Sequence, residues 1–239
     1  MMKKNLFLPF FPVLIIVIIS SCCDTGGPAL SLEQQYDNAV RDAVFAEACE
    51  ISGSLIVISE DNADLEWDSG MVLVVTFTSF PGSYPEGETI ETWWGDTWVT
   101  AVPELQIVYD SIAHSVDDPL LRIEQLLGLP MDTGSEWFVE LWVNPDDLFR
   151  PCPDNEITDS ACELSFPDDA TGEHIDWFKN QIIESYYHDQ QYPWTRLGYT
   201  YDWDASTSEI GLSEFIIRQG ADVVVERVES YEEYLSMDI

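Results

Sequence analysis

Positive charge is what this chain has least of. Nine Lys and Arg stand against 45 Asp and Glu in 239 residues, a formal charge of −36. Lysine occurs only at Lys3, Lys4 and Lys179. Nucleic acids are held by clustered Lys and Arg on the phosphates, so no nucleic-acid partner is expected. The same scarcity argues against polybasic docking on an anionic membrane. The usual chemical fingerprints are missing as well. There is no P-loop, dinucleotide glycine motif, GxSxG elbow, HExxH pair or CxxC spacing. No apolar run reaches the ~20 residues that a spanning helix needs.

What is present is core-forming material. Hydrophobic residues make up 46% of the chain and aromatics 13%, with nine Trp, which excludes the disorder that high net charge otherwise suggests. The length suits one domain, and no repeat or low-complexity linker divides it.

The N-terminus has its own logic. Lys3 and Lys4 precede an apolar run from Leu6 to Ile19. A basic start and a short apolar stretch form the pattern of a secretory signal. Ile19-Ser20-Ser21-Cys22 then resembles the lipobox of bacterial lipoproteins. The resemblance implies cleavage before Cys22 and diacylglycerol, with palmitate-class chains, on its thiol. It also implies a protein of the bacterial cell envelope, lipid-anchored and facing periplasm or exterior. Two or more acyl chains anchor stably, at about 0.8 kcal/mol per buried methylene. An uncleaved anchor, or ordinary cleavage near Ser21, is the alternative. On the lipoprotein reading, residues 1–21 are signal peptide, 22–30 a tether and 31–239 an acidic domain. Losing Lys3 and Lys4 leaves seven basic against 45 acidic groups, or −38.

Of the remaining cysteines, Cys152 and Cys162 lie ten apart in a Pro/Asp-rich segment and suit a disulfide outside the cytoplasm. Two separate thiols are the alternative. Cys49 is expected as a buried thiol at a helix end, or as a partner for Cys23.

Periodicity predicts helices over 31–49, over 103–127 with a break at Asp118-Pro119, and over 172–188. Strands are expected at 54–59, 71–79, 97–102, 137–143 and 199–203. Segments 210–218 and 221–228 read as a hairpin turning at Gln219-Gly220, followed by a short helix from Ser230. The turn 60–70 would join the first two strands, and 80–96 is expected as a long loop. Helices and strands do not alternate regularly, so the fold class is α+β, a single globular domain with a mostly antiparallel sheet and several helices.

Three groups of residues are candidates for chemistry. Asp64, Glu66, Asp68 and Gly70 resemble the start of an EF-hand loop, and hard cations want converging oxygens. The glycine falls at the seventh position and Val75 at the twelfth, so a solvated turn competes with this reading. Calcium is the one cofactor suggested, and none is otherwise implied. Segment 185–204 holds seven aromatics in twenty residues. Tyr199, Tyr201, Trp203 and Trp194, with Arg196, are the candidate binding residues for a glycan or protein ligand, with Trp93, Trp94 and Trp98 as neighbours. The competing reading is that these rings fill the core. Arg196 is expected to pair with Asp202 or Asp204. Finally, residues 212–217 and 219–225 resemble the C-terminal hairpin of ADP-ribosyltransferases, in which a glutamate contacts the ribose of NAD. The resemblance assigns that role to Glu214, the one candidate for a catalytic residue, although Leu212 stands where a second glutamate is usual. An ordinary hairpin is the alternative. His114, His174 and His188 show no ligand or triad spacing.

The expectation is therefore a membrane-anchored binding or interaction module, with an enzyme as the alternative.

Overall fold

The computed structural model describes residues 30–113, 116–204 and 206–237. The signal segment, the Ile19–Cys22 motif, Cys23 and His114 lie outside the described residues.

The chain forms one α+β domain. In order, it runs α1 (Leu32–Ala43), β1 (Trp67–Asp68), β2 (Met71–Thr78), β3 (Thr89–Glu91), β4 (Thr97–Ala101), α2 (Glu104–Ile112), α3 (Pro119–Leu126) and β5 (Trp137–Val143). Then follow β6 (Leu148–Phe149), α4 (Gly172–Tyr186), β7 (Tyr199–Tyr201), β8 (Ile210–Ser213), β9 (Phe215–Ile217), β10 (Asp222–Ser230) and α5 (Tyr231–Tyr234). The main sheet has the order β3-β10-β5-β2-β4-β9-β6, with β1 beside β2. Its pairings are antiparallel, and β7-β8 form a separate ribbon.

The middle strands explain why the apolar runs in the sequence are so dense. β2 pairs with β5 over its length, from Val72↔Val143 to Thr78↔Trp137. Side chains alternate across a strand, and both faces of this sheet are covered. Val72 and Val74 therefore join one core with Val139, Leu141, Phe215 and Val223. Leu73 and Val75 join the other, under α2, α3 and α5, with Leu105, Ile123, Phe138 and Tyr234.

Helix starts follow local capping chemistry. Ser31 and Gln34 form a reciprocal capping box at α1. Asp118 accepts from Leu121 N ahead of Pro119, so the proline sits in the first turn of α3, where its missing N–H costs nothing. Thr171 caps α4 and Ser230 caps α5.

Several sequence expectations change. Residues 54–59 form no strand. They run as an extended segment, with Leu55 N bonded to Ser160 O and Ile58 N to Ile157 O. The turn 60–70 consequently joins no hairpin of 54–59 with β2. The tight turn is instead Ser69-Gly70, both at positive φ, between β1 and β2. The 80–96 stretch contains a short 3-10 turn at Pro81–Ser83 and strand β3. The hairpin expected over 210–228 does not form: β9 pairs with β4 and β6, and β10 with β3 and β5. Local turn signals at Gln219-Gly220 are real, since Gly220 has φ 85°. The two arms nevertheless find longer partners elsewhere in the sheet.

Helix α1 ends at Ala43, so Cys49 lies beyond it, exposed and unpaired among the described residues. Cys152 and Cys162 form a buried disulfide with a Cα–Cα distance of 6.3 Å. Behind it, Arg150 is fully buried and donates to the carbonyls of Ile56, Glu156 and Asp159. The guanidinium lies 4.9 Å from the Phe215 ring centroid. One cation thus ties together three irregular strands of chain.

Candidate functional site: an aromatic cleft

A cleft of about 470 Å³ opens between the sheet, the end of α3, α4 and the segment before β7. Its sheet side carries Phe77 of β2, Phe138 of β5 and Trp98 of β4. Leu127–Leu129 close the α3 side, and Gln181 and Ser185, one turn apart on α4, supply amide and hydroxyl groups. Trp194, Tyr199 and Tyr201 form much of the remaining wall. Trp194 and Tyr199 are buried, whereas Trp94 and Tyr192 are partly open to solvent. The rings therefore grade from floor to rim.

The aromatic-rich segment consequently divides its labour. Trp194 packs behind the cleft against Trp98, Trp177 and Phe178 at centroid distances of 5.0–6.3 Å. The Tyr186 hydroxyl lies against both Ala43 O and Trp194 O and can donate its one proton to either, tying α1, α4 and this segment together. Tyr199 donates to Glu50 O, and Tyr201 to Asp42. Trp203 does not line the cleft. It is buried, donates to Leu129 O, and meets Tyr36 edge-on at 5.6 Å. Trp93 is exposed and stays outside, although it touches Trp94 edge-on.

Arg196 does not pair with Asp202 or Asp204. It stands at positive φ and donates to the carbonyls of Ala43 and Val44, with its guanidinium over the Tyr186 ring. The partner of Asp202 is Arg122 of α3, through two bonds of 2.9 and 2.6 Å inside the protein. Arg122 also reaches Asp204 at 3.9 Å. Sequence proximity favoured Arg196, but the ribbon carries Asp202 back onto α3.

Among the described residues, two acidic side chains line the cleft, Asp96 and Glu214, and no basic one does. Asp96 is occupied: Trp177 Nε1 and Gln219 N donate to its two oxygens at 2.7 and 2.9 Å. Glu214 is different. It sits in the break between β8 and β9, where its N–H donates to Gly198 O. Its Oε2 is enclosed, with no hydrogen-bond partner among the described residues. Burial pushes the carboxyl up to about 8. The indole Nε1 of Trp194 is likewise enclosed and unpartnered among the described residues. The nearby Glu104 is also pushed up by burial but accepts from Ser213 N, Ser213 Oγ and Thr100 Oγ1. Glu214 thus lies where the sequence placed a candidate, at a strand opening, yet the hairpin that carried the ADP-ribosyltransferase resemblance is absent.

Among the described residues, Asp64, Glu66 and Asp68 do not form a group of carboxylates close enough to share an ion. A different acidic group does gather among the described residues: Asp154, Asp159 and Glu163 bring one oxygen each within 4.8 Å of one another, around the disulfide loop. A hydrogen bond to Asp154 is the main cause that holds Glu163 above its ordinary range, and the negative charges of Asp154 and Asp159 add to it. An oxygen-only set suits a hard cation. No sequence spacing advertised it, because the disulfide is what folds the loop back.

Gln181, Ser185, Phe77, Phe138 and Leu127–Leu129 were not legible as site residues. Phe77 and Phe138 look like ordinary strand residues, and Gln181 and Ser185 look like the solvated flank of a helical stripe. Comparison with family models, curated proteins and solved structures returned no match. Among the described residues, no helix is long and apolar enough to cross a membrane.

Proposed function

We propose that this chain is a lipid-anchored, extracytoplasmic binding protein whose ligand occupies the aromatic cleft. The observation that carries the reading is the composition of that cleft: Trp94, Trp98, Tyr192, Trp194 and Tyr201 around a few polar groups, two of them enclosed and unpartnered. Ligand sites are concave, mostly apolar, and carry a few placed polar groups, and 470 Å³ lies within their usual range. A sugar or similarly two-faced molecule suits such a wall, with a ring face on indole and hydroxyls toward Gln181, Ser185 and Glu214. The envelope location is supported by the Ile19–Cys22 motif and by a disulfide of the kind that persists outside the cytoplasm.

A glycan array probed with the wild type and with Trp98→Ala tests the cleft. Binding by the wild type that falls about fivefold or more in the variant is expected, since a stacked ring is worth about 1 kcal/mol. No bound glycan, or binding indifferent to Trp98, would overturn a glycan ligand in this cleft.

The enzyme alternative keeps one supporting observation, an acid of raised affinity for protons in a cleft. Incubation with NAD decides its ADP-ribosyltransferase form: release of nicotinamide that stops in Glu214→Gln would favour it. For the Asp154, Asp159 and Glu163 cluster, calcium is the ion we propose, on donor chemistry alone.

A further inference from the structure

Glu214 is the one acidic group of the cleft whose carboxyl has an oxygen without a hydrogen-bond partner among the described residues. The other acid of the cleft, Asp96, has both oxygens satisfied by Trp177 and Gln219. Among the described residues, no Lys, Arg or His lines the cavity. Arg196 turns one guanidinium nitrogen to the carbonyls of Ala43 and Val44 and lies over the Tyr186 ring, with its Nε enclosed and unpartnered among the described residues. An enclosed carboxyl with no countercharge is costly to keep, and a buried acid is normally paired or hydrogen-bonded. Around it stand aromatic faces, whose negative quadrupoles attract cations and gain strength when desolvated.

These observations ask for the same thing from a ligand. A neutral sugar would satisfy the hydroxyl-bonding groups but leave the carboxyl without a charge partner. A bare metal ion would want several hard oxygens, and the cleft offers one unpartnered carboxyl oxygen among aromatic side chains. An organic ammonium meets both features, presenting charge to the acid and C–H surface to the rings. The protein's net charge of −36 adds a long-range field that draws cations toward it.

We propose that the aromatic cleft selects small ligands bearing an ammonium group, with Glu214 as the residue that reads the charge and Trp98 and Trp194 as cation-facing walls. The proposal rests on the reading of the cleft as a ligand site and names the chemical class that the site takes. Burial is what pushes the Glu214 carboxyl up to about 8. A ligand cation within ion-pair reach favours the carboxylate.

The test uses matched probes on the purified full chain at neutral pH, with tryptophan fluorescence and calorimetry as readouts. Choline is set against its neutral isostere 3,3-dimethylbutanol, and glucosamine against glucose. The cationic member of at least one pair is expected to bind about tenfold tighter or more, because a charge-assisted contact is roughly twice a neutral one. Glu214→Gln keeps the shape and removes the ionisable group, and is expected to erase the difference in affinity between the members of each pair. An unchanged far-UV circular dichroism spectrum and a cooperative melting transition show that the variant is folded. Equal binding of both members, or a preference that survives Glu214→Gln, would overturn the inference while leaving the cleft as a ligand site. Binding by none of the four probes would overturn it as well. The same probes measured on Trp98→Ala decide separately whether the cleft is the ligand site: affinities indifferent to Trp98 would remove that reading.

Discussion

A carboxyl enclosed without a countercharge resists ionisation, and at the residue scale this makes Glu214 a source of pH dependence. Its folded value is raised to about 8 from an ordinary 4.5. Below about pH 4.5 both folded and unfolded chains hold the proton, and the residue has no effect on stability. As pH rises from there, the unfolded chain ionises while the folded one keeps its proton, so stability falls until about pH 8 and is level above it. At about 1.4 kcal/mol per unit, the loss is on the order of 3–5 kcal/mol. Glu214→Gln is therefore expected to be more stable than the wild type by that amount under alkaline conditions and to equal it in acid. Urea unfolding at the two extremes checks this. An unchanged difference across pH would show that the carboxyl reaches solvent.

At the scale of elements, the aromatic ribbon is held by charge pairing. Arg122 on α3 meets Asp202 after β7, with both side chains almost fully buried. Asp204 N and Thr207 Oγ1 also donate to Asp202, so the whole turn after β7 depends on one carboxylate. Removing one member of a buried pair leaves the other uncompensated and costs about 3–5 kcal/mol. Arg122→Met should lose that much in chemical denaturation, and Arg122→Met with Asp202→Leu should recover most of it. A loss below about 1 kcal/mol would mean that water reaches the pair. Gly198, beside this ribbon, shows the same tight assembly: it has φ 74°, and a Cβ there would stand 2.6 Å from Cys162 Sγ. Elements such as α1, α3, α4, β2 and β5 were legible from periodicity, because each satisfies its own pattern locally. The 54–59 segment was not: its Val/Ile content is that of a strand, but its hydrogen bonds go to the disulfide loop.

Across the whole molecule, the imbalance of charge governs the response to salt. Six Arg and one Lys remain against 45 acids beyond the apolar leader. Like charges on a compact surface repel, and salt shortens their reach from about 10 Å at 0.1 M to about 3 Å at 1 M. The melting temperature is expected to climb from low to molar NaCl. Calcium at matched ionic strength should raise it further if the Asp154, Asp159 and Glu163 cluster gathers the ion. A melting temperature flat in NaCl would show that self-repulsion does not limit stability. Equality between calcium and NaCl would remove calcium from the cluster.

Sequence by itself determined the acidic character, the α+β class, the main helices and central strands, and the aromatic density of 185–204. These are composition and period, which a chain carries before it folds. Tertiary structure decided which rings face a cleft and which fill the core, because Trp194, Tyr199 and Trp203 are alike in sequence and differ only in what packs beside them. It also decided that Arg122 and not Arg196 answers Asp202, and that β9 and β10 part company. Glu214 shows the same division most sharply. Its place at a strand opening is local, but its missing partner is a property of every element that packs around it.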